Sequence, residues 1–342
     1  MLSILDYDRE KLQEVLRDDL GLEPFRANQI FRWIYKERVK TFELMTDITK
    51  SVRQKLAKSF SIFYPRVKLV NLSKDGTKKY MFELEDGECI ESVLIKQPKR
   101  WTVCISTQVG CAMGCKFCKT ATLGLKRNLE VHEIIGQVLA IKDDTQVDFY
   151  NIVFMGMGEP LHNLKNVLVA LKILSDDYGL CFSERKLTVS TSGLVPAIQK
   201  FGNAKNRANL AVSLNATTDE VRNELMPINK KYPLKLLIET LRSYPLRGRQ
   251  CITIEYVLLR GVNDSVADRR RLKKLLHNIP VKINLIPYNT NVELGFERPS
   301  REVLVEWQQD LCNSKFNTTI RWSKGNDVNA ACGQLIGVSG IG

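Results

Sequence analysis

Three cysteines, Cys111, Cys115 and Cys118, stand C-x3-C-x2-C in GCAMGCKFCKT, directly after the apolar run TVCIST. Thiolates converging from one loop bind a soft metal centre. A structural zinc ion takes four protein ligands, and neither a second CxxC nor a pair of histidines completes such a set. The three histidines, His132, His162 and His277, are remote in sequence. Three thiolates suit an iron–sulfur cubane with one iron left open, unlike the four-cysteine sites of electron-transfer proteins. A CxxC redox pair is the remaining alternative. Two further cysteines and one carboxylate have chemistry available to them. Cys332 lies between small residues in Ala330-Ala331-Cys332-Gly333, where a ligand can approach closely, although a lone cysteine there is usually inert. Cys104 reads as strand packing, and Glu91 as a carboxylate sharing one strand face with Cys89, Val93 and Ile95.

These residues need a scaffold, and the patterning describes one. From Trp101 onward, strand-like runs (TVCIST, NIVFMG, KLTVSTS, ANLAVSLN, CITIEYVLL, VKINLIPYN) alternate with helix-like stretches such as EIIGQVLAIKDD and LKNVLVALKILSDD. Six βα-type units in sequence argue for parallel strands with outer helices, whose ligands collect at the strand C-termini. Gly158-Glu159, Ser190, Ser213-Leu214-Asn215 and Asn289 all fall at that rim. Between Val67 and Lys96 the period is two, with turns at Asp75-Gly76 and Asp86-Gly87, which predicts a small antiparallel sheet. The first sixty residues read as helices: Leu12, Val15, Leu16 and Leu20 recur at helical spacing before Gly21. A second helical stretch carries Arg26, Arg32, Lys36, Arg38 and Lys40, a nucleic-acid contact or simply a solvated charged face.

Composition narrows the class. The 342 residues are 44% hydrophobic and 26% charged, values that exclude a disordered chain, a collagen and a small disulfide-stapled domain. No apolar run reaches a membrane span, and the N-terminus lacks a leader pattern, so a cytoplasmic location is expected. With 51 Lys and Arg against 38 Asp and Glu, the formal charge of +13 favours a polyanionic partner, nucleic acid first. Nine cysteines without a secretory signal point to metal ligands or reactive thiols rather than permanent bridges.

Taken in order, PFRANQIFRWIY, ECIESVLI, CISTQVGCAMGCKFC, FMGMGEPLHN, LTVSTSG, SLNATTDE, MPIN, GVNDS, INLIPYN and AACGQL resemble the RlmN/Cfr-like radical S-adenosylmethionine (SAM) RNA adenosine methyltransferases. The resemblance spans nearly the whole chain. It implies an α/β fold: a partial (β/α)6 barrel over 101–342 with a C-terminal catalytic-cysteine segment, an N-terminal helical RNA-contact domain over 1–62, and a β linker over 63–100 carrying Glu91. It implies a [4Fe-4S] cluster on Cys111, Cys115 and Cys118 whose open iron holds SAM. Gly158 and Glu159 match the motif that receives the SAM amino group, and Ser190, Ser213, Leu214, Asn215 and Asn289 match other SAM contacts. Many relatives have histidine where Asn215 stands.

By the same resemblance, Cys332 matches a methyl-accepting cysteine, Cys104 a second catalytic cysteine and Glu91 a proton acceptor. The implied reaction methylates carbon 2 of adenosine in 23S rRNA and, beside the anticodon, in tRNA. It consumes two SAM per turnover and passes through a covalent RNA adduct and a Cys104–Cys332 disulfide. An external donor such as flavodoxin or ferredoxin supplies electrons to a monomer without a membrane partner. Methylation at carbon 8 is the close alternative; Pro160 in GMGEP favours carbon 2. A radical SAM enzyme for a small molecule fits the basic charge and the Cys332 tail less well. An RNA-binding protein with a structural cluster would differ in releasing no 5′-deoxyadenosine from SAM.

Overall fold

Period-two patterning over 66–104 and the apolar runs after it build one ten-stranded sheet. It is seen in a computed structural model that describes residues 2–145, 147–205, 208–289 and 291–337. The strands are β1 (Arg66–Leu72), β2 (Lys78–Glu83), β3 (Cys89–Gln97), β4 (Arg100–Cys104), β5 (Asn151–Phe154), β6 (Leu187–Thr191), β7 (Asn209–Ser213), β8 (Ile252–Leu258), β9 (Val281–Pro287) and β10 (Asn317–Ile320). They lie side by side in chain order. β1 to β4 pair antiparallel, and β4 to β10 pair parallel. Ile252, Ile254 and Tyr256 of β8 are fully buried, as expected where helices cover a parallel sheet. Helices that include Val131–Thr145, Leu164–Ser175, Val266–Leu276 and Arg301–Asn313 alternate with the parallel strands.

Two features differ from the sequence expectation. Residues 63–100 form no sheet of their own: β1 to β3 continue the parallel strands through the β3–β4 pairing. Six expected parallel strands are joined by a seventh, β10, a four-residue polar edge strand too short to give a periodic signal.

The N-terminal residues fold as expected. Asp8 caps the helix Arg9–Leu20 by accepting from the Lys11 N–H, and Gly21 ends it in the left-handed conformation. The helix Arg26–Phe31 runs on through a π turn, Arg32–Lys36. Part of the basic face is used internally. Arg38 and Lys40 face Asp143, and Lys36 donates to the Asp177 carbonyl. Asp6 with His132, Asp8 with Lys172 and Arg9 with Asp176 complete the seam against the barrel helices. The five C-terminal positions of the last expected domain, 338–342, lie outside the described residues.

Candidate active site

The cysteine loop is built locally. After β4, Gln108–Gly110 pairs with Leu125–Asn128 as a short hairpin, and residues 111–118 run between them. Gly110 is left-handed, and a β-carbon there would lie 1.8 Å from the Gly124 carbonyl oxygen, so only glycine lets the strands close. The Lys116 N–H donates to Leu225 O, while Cys115 and Phe117 pack against a satellite core of Leu225, Met226, Leu259 and Tyr288 at the strand ends. All three thiols are free and partly exposed.

Burial pushes the Cys111 thiol up to about 12, with Cys118 and Glu159 adding to it. Burial likewise drives Cys115 well above the ordinary thiol range; Cys118, Cys111 and Glu159 add, and Arg222 opposes. Thiols that raise one another become thiolates only around a strongly cationic centre, and this soft three-donor set fits an iron–sulfur cluster. Among the described residues, no three His, Cys, Asp or Glu side chains converge as ligands of one ion. A cubane places its thiolates on separate irons and needs no such point.

The rim residues divide by how they are used. Gly156 and Gly158 are required by packing: a β-carbon at either would lie within about 2.7 Å of Ile105 or Gln108 atoms. Glu159 is buried, accepting from the N–H and hydroxyl of Ser192 and from the Leu161 N–H; burial nevertheless raises its carboxyl. Ser190 sits partly exposed on β6 and Ser213 partly exposed at the end of β7. Leu214 is wholly core. Asn215 is left-handed, and its side chain joins the Val257 N–H to Met226 Sδ. That amide is therefore committed to the protein. Asn289 donates to the Cys332 carbonyl and accepts from Arg298.

Sequence reading missed Arg222. Its guanidinium is fully buried and donates to the carbonyls of Ser192, Ser213 and Leu214 and to Asn229 Oδ1, tying the ends of β6 and β7 together. Burial holds it down at about 10. It stands in an ordinary helical stretch, and no local pattern marks it. Glu255 was also unmarked. It is buried on β8, raised by desolvation, and accepts from Asn284.

The remaining chemistry comes from the two ends of the barrel. Beyond β10 the chain crosses the open side of the sheet. Asp327 accepts from Ser73 and the Lys74 N–H in the β1–β2 turn, and Gly325 N–H donates to Asp75. Further along, Gly333 O accepts from the Lys119 N–H, Leu335 O from Thr120, and Ile336 N–H donates to Glu91 Oε2 at 2.8 Å. This path sets Cys332 among Cys104, Cys118, Glu255 and Arg321. Burial lifts its thiol to about 11, Glu255 and Cys118 add, and Arg321 opposes. Cys332 is nevertheless exposed to solvent. Cys104 is buried; desolvation and then Cys332 push its thiol far up. Cys104 pairs with Val93 across β4 and β3, which puts it on the same sheet face as Glu91. Cys104 and Glu91 thus share one face of the sheet, and the segment that carries Cys332 reaches that face through Ile336. Cys89, Cys181, Cys251 and Cys312 are free thiols.

Comparison with known proteins follows the same division. Residues 2–62 match a ribosomal RNA large subunit methyltransferase N-terminal domain, and residues 105–273 match the radical SAM superfamily. A protein of Geotalea uraniireducens named dual-specificity RNA methyltransferase RlmN is 53% identical over 93% of this chain and 92% of its own length. A Geobacter sulfurreducens protein of the same name is 51% identical over 98% of this chain and 92% of its own. The crystal structure of a radical SAM methyltransferase from Sphaerobacter thermophilus superposes with a TM-score of 0.92 at 39% identity. It covers 99% of this chain and all of that one.

Proposed function

The chain belongs to the RlmN family of radical SAM methyltransferases, and from that membership we infer that it methylates carbon 2 of adenosine in RNA. The substrates are 23S rRNA and the adenosine 3′ to the anticodon in tRNA. What supports the residue assignment is the seating of the Cys332 segment: its Gly333 carbonyl accepts from the Lys119 N–H beside Cys118, and its Ile336 N–H donates to Glu91 on the sheet face that carries Cys104. Cys111, Cys115 and Cys118 would hold a [4Fe-4S] cluster, which with SAM would supply a 5′-deoxyadenosyl radical. Gly158, Glu159, Ser190, Ser213, Leu214, Asn215 and Asn289 would border the SAM site; the Asn215 amide is engaged with Val257 and Met226, and its carbonyl accepts from Asn263.

An aromatic carbon is no nucleophile for the methyl of SAM, whereas a thiolate is. Cys332 Sγ loses its proton and takes the methyl of a first SAM; this S-methyl carbon is then the one delivered to adenine. Glu91 accepts the proton that must leave the substituted carbon. Cys104 Sγ attacks Cys332 Sγ, forming an S–S bond and breaking the S–CH2 bond. The released electron pair picks up a proton to complete the methyl group. Two electrons and two protons then reset the disulfide. Burial keeps the Cys104 thiol protonated, so its proton must leave as Sγ attacks, and the released carbon can take it up.

The +13 chain meets RNA through phosphates, and the target base leaves its stack to reach the site. A cytoplasmic monomer served by flavodoxin or ferredoxin completes the reading; no described helix is long and apolar enough to cross a membrane. The test is anaerobic reconstitution with iron, sulfide, SAM and a reductant, followed by mass mapping and nucleoside analysis. A methyl on Cys332, released 5′-deoxyadenosine and 2-methyladenosine are expected. An unmethylated Cys332 in a protein that turns over overturns the mechanism, and 8-methyladenosine alone overturns the carbon-2 assignment.

A further inference from the structure

Lys79 is a buried lysine outside every assignment made so far. It lies on β2, and its ammonium sits 2.9 Å from Glu91 Oε1, with the two side chains 10% and 1% exposed. Strand register explains the meeting. Lys79 is opposite Val93 and Met81 is opposite Glu91, so Lys79 and Glu91 are diagonal neighbours on one face. Val93 is in turn opposite Cys104, which places Lys79, Val93 and Cys104 in one row across β2, β3 and β4. The Glu91 carboxylate has two differently used oxygens. Oε2 accepts from the Ile336 N–H, four residues beyond Cys332. Oε1 has the charge of Lys79 beside it but receives no directed hydrogen bond. A buried carboxylate without its ammonium would be a large cost, so Lys79 fixes both the charge and the place of Glu91.

We propose that Lys79 is a positioning residue of the reaction, holding Glu91 where it both seats the Cys332 segment through Ile336 and presents Oε1 as the proton acceptor. This rests on the reading of Glu91 given above. In that transfer the C–H bond of the substituted carbon breaks and its electron pair re-forms the aromatic ring. The proton passes to Glu91, and the odd electron of the addition would go to the iron–sulfur cluster that Cys111, Cys115 and Cys118 would hold. Lys79 itself gives up nothing. Its charge holds the carboxylate in place beside the Ile336 N–H.

The test uses the full chain, reconstituted and incubated with SAM, reductant and RNA, in five forms: wild type, Glu91→Gln, Lys79→Met, Lys79→Arg and the Lys79→Met/Glu91→Gln double variant. Iron content, 5′-deoxyadenosine and methyl-Cys332 report the earlier steps, and denaturing electrophoresis reports the covalent RNA adduct. Lys79→Met is expected to keep the earlier steps, accumulate adduct and lose product formation by about 100-fold, the cost of a misplaced group. Lys79→Arg should recover most of it, and the double variant should be no worse than Glu91→Gln alone, because one residue acts through the other. If Glu91→Gln turns over without adduct, the proton-acceptor reading fails and takes this inference with it. If Glu91→Gln accumulates adduct but Lys79→Met does not, the inference alone fails. Should Lys79→Met not retain iron, Lys79→Gln carries the same comparison. Loss of iron in both, with Lys79→Arg normal in every step, would make Lys79 a residue of the fold only and overturn the proposal.

Discussion

The loop of Cys111, Cys115 and Cys118 and the neighbourhood of Cys104 and Cys332 are assembled in opposite ways. The loop is closed by its neighbours in sequence: a hairpin, a left-handed glycine and the Cys118 N–H on Cys115 O. The pair needs β4 at one side, the segment after β10 at the other, and every strand between them in order. Local closure makes the loop a unit whose ligands succeed or fail together. Long-range closure ties the Cys332 segment to several distant elements instead of to its neighbours in sequence. The segment is held at separate points, Ser73, Thr120, Asn289 and Glu91, rather than in a ladder.

The largest effect should come from breaking the local unit. Cys115→Ala leaves two thiols, which cannot hold a cubane in this loop, and iron content and visible absorption of the reconstituted protein should fall to background. Unchanged iron would mean that the loop is not the cluster site.

A second measurement sharpens the contrast between the paired thiols in cluster-free protein. Cys332 is exposed to solvent with its thiol near 11, so its alkylation by iodoacetamide should rise about tenfold per pH unit from neutrality toward that value. The sign follows from the thiolate being the nucleophile, its fraction growing as pH climbs. Buried Cys104 should stay unlabelled over the same range. Equal labelling of the two, followed by mass mapping, would erase the distinction.

The smallest effect separates two left-handed glycines. In the loop, a β-carbon on Gly114 meets only Pro227 at 3.5 Å, so Gly114→Ala should cost about 1 kcal/mol of backbone strain. Gly337 packs against β3, where a β-carbon would lie 2.3 Å from Cys89 O. Gly337→Ala should unseat the segment and speed hydrogen exchange at the Ile336 amide, with little change in global melting. An unchanged Ile336 amide would show that the segment is seated by other contacts.

Much of this arrangement is legible in the residues alone. The cysteine triplet, the alternation of apolar runs with helical stretches and the helix stop at Gly21 all follow from spacing within short windows, because a turn, a strand or a ligand loop is decided by a few consecutive residues. The joint order of the motifs was specific enough to point to the family, and the family comparisons agree. Other features depend on which distant residue wins a place, and no window contains that information. Asn215 looks like a ligand contact, yet its amide is spent between β7 and β8. Arg222 looks like a solvated helix charge, yet it is buried because four acceptors converge there. Lys79 stands beside Lys78 at the start of a strand, and only the β2–β3 register makes it the partner of Glu91. Cys332 gains its surroundings from a segment after β10 that is pinned to the β1–β2 turn and to Glu91, since only closure of the whole fold brings those elements together. Ligand type and element type are local properties of the chain, whereas register, burial and partnership are set by competition among all its surfaces for the same interior.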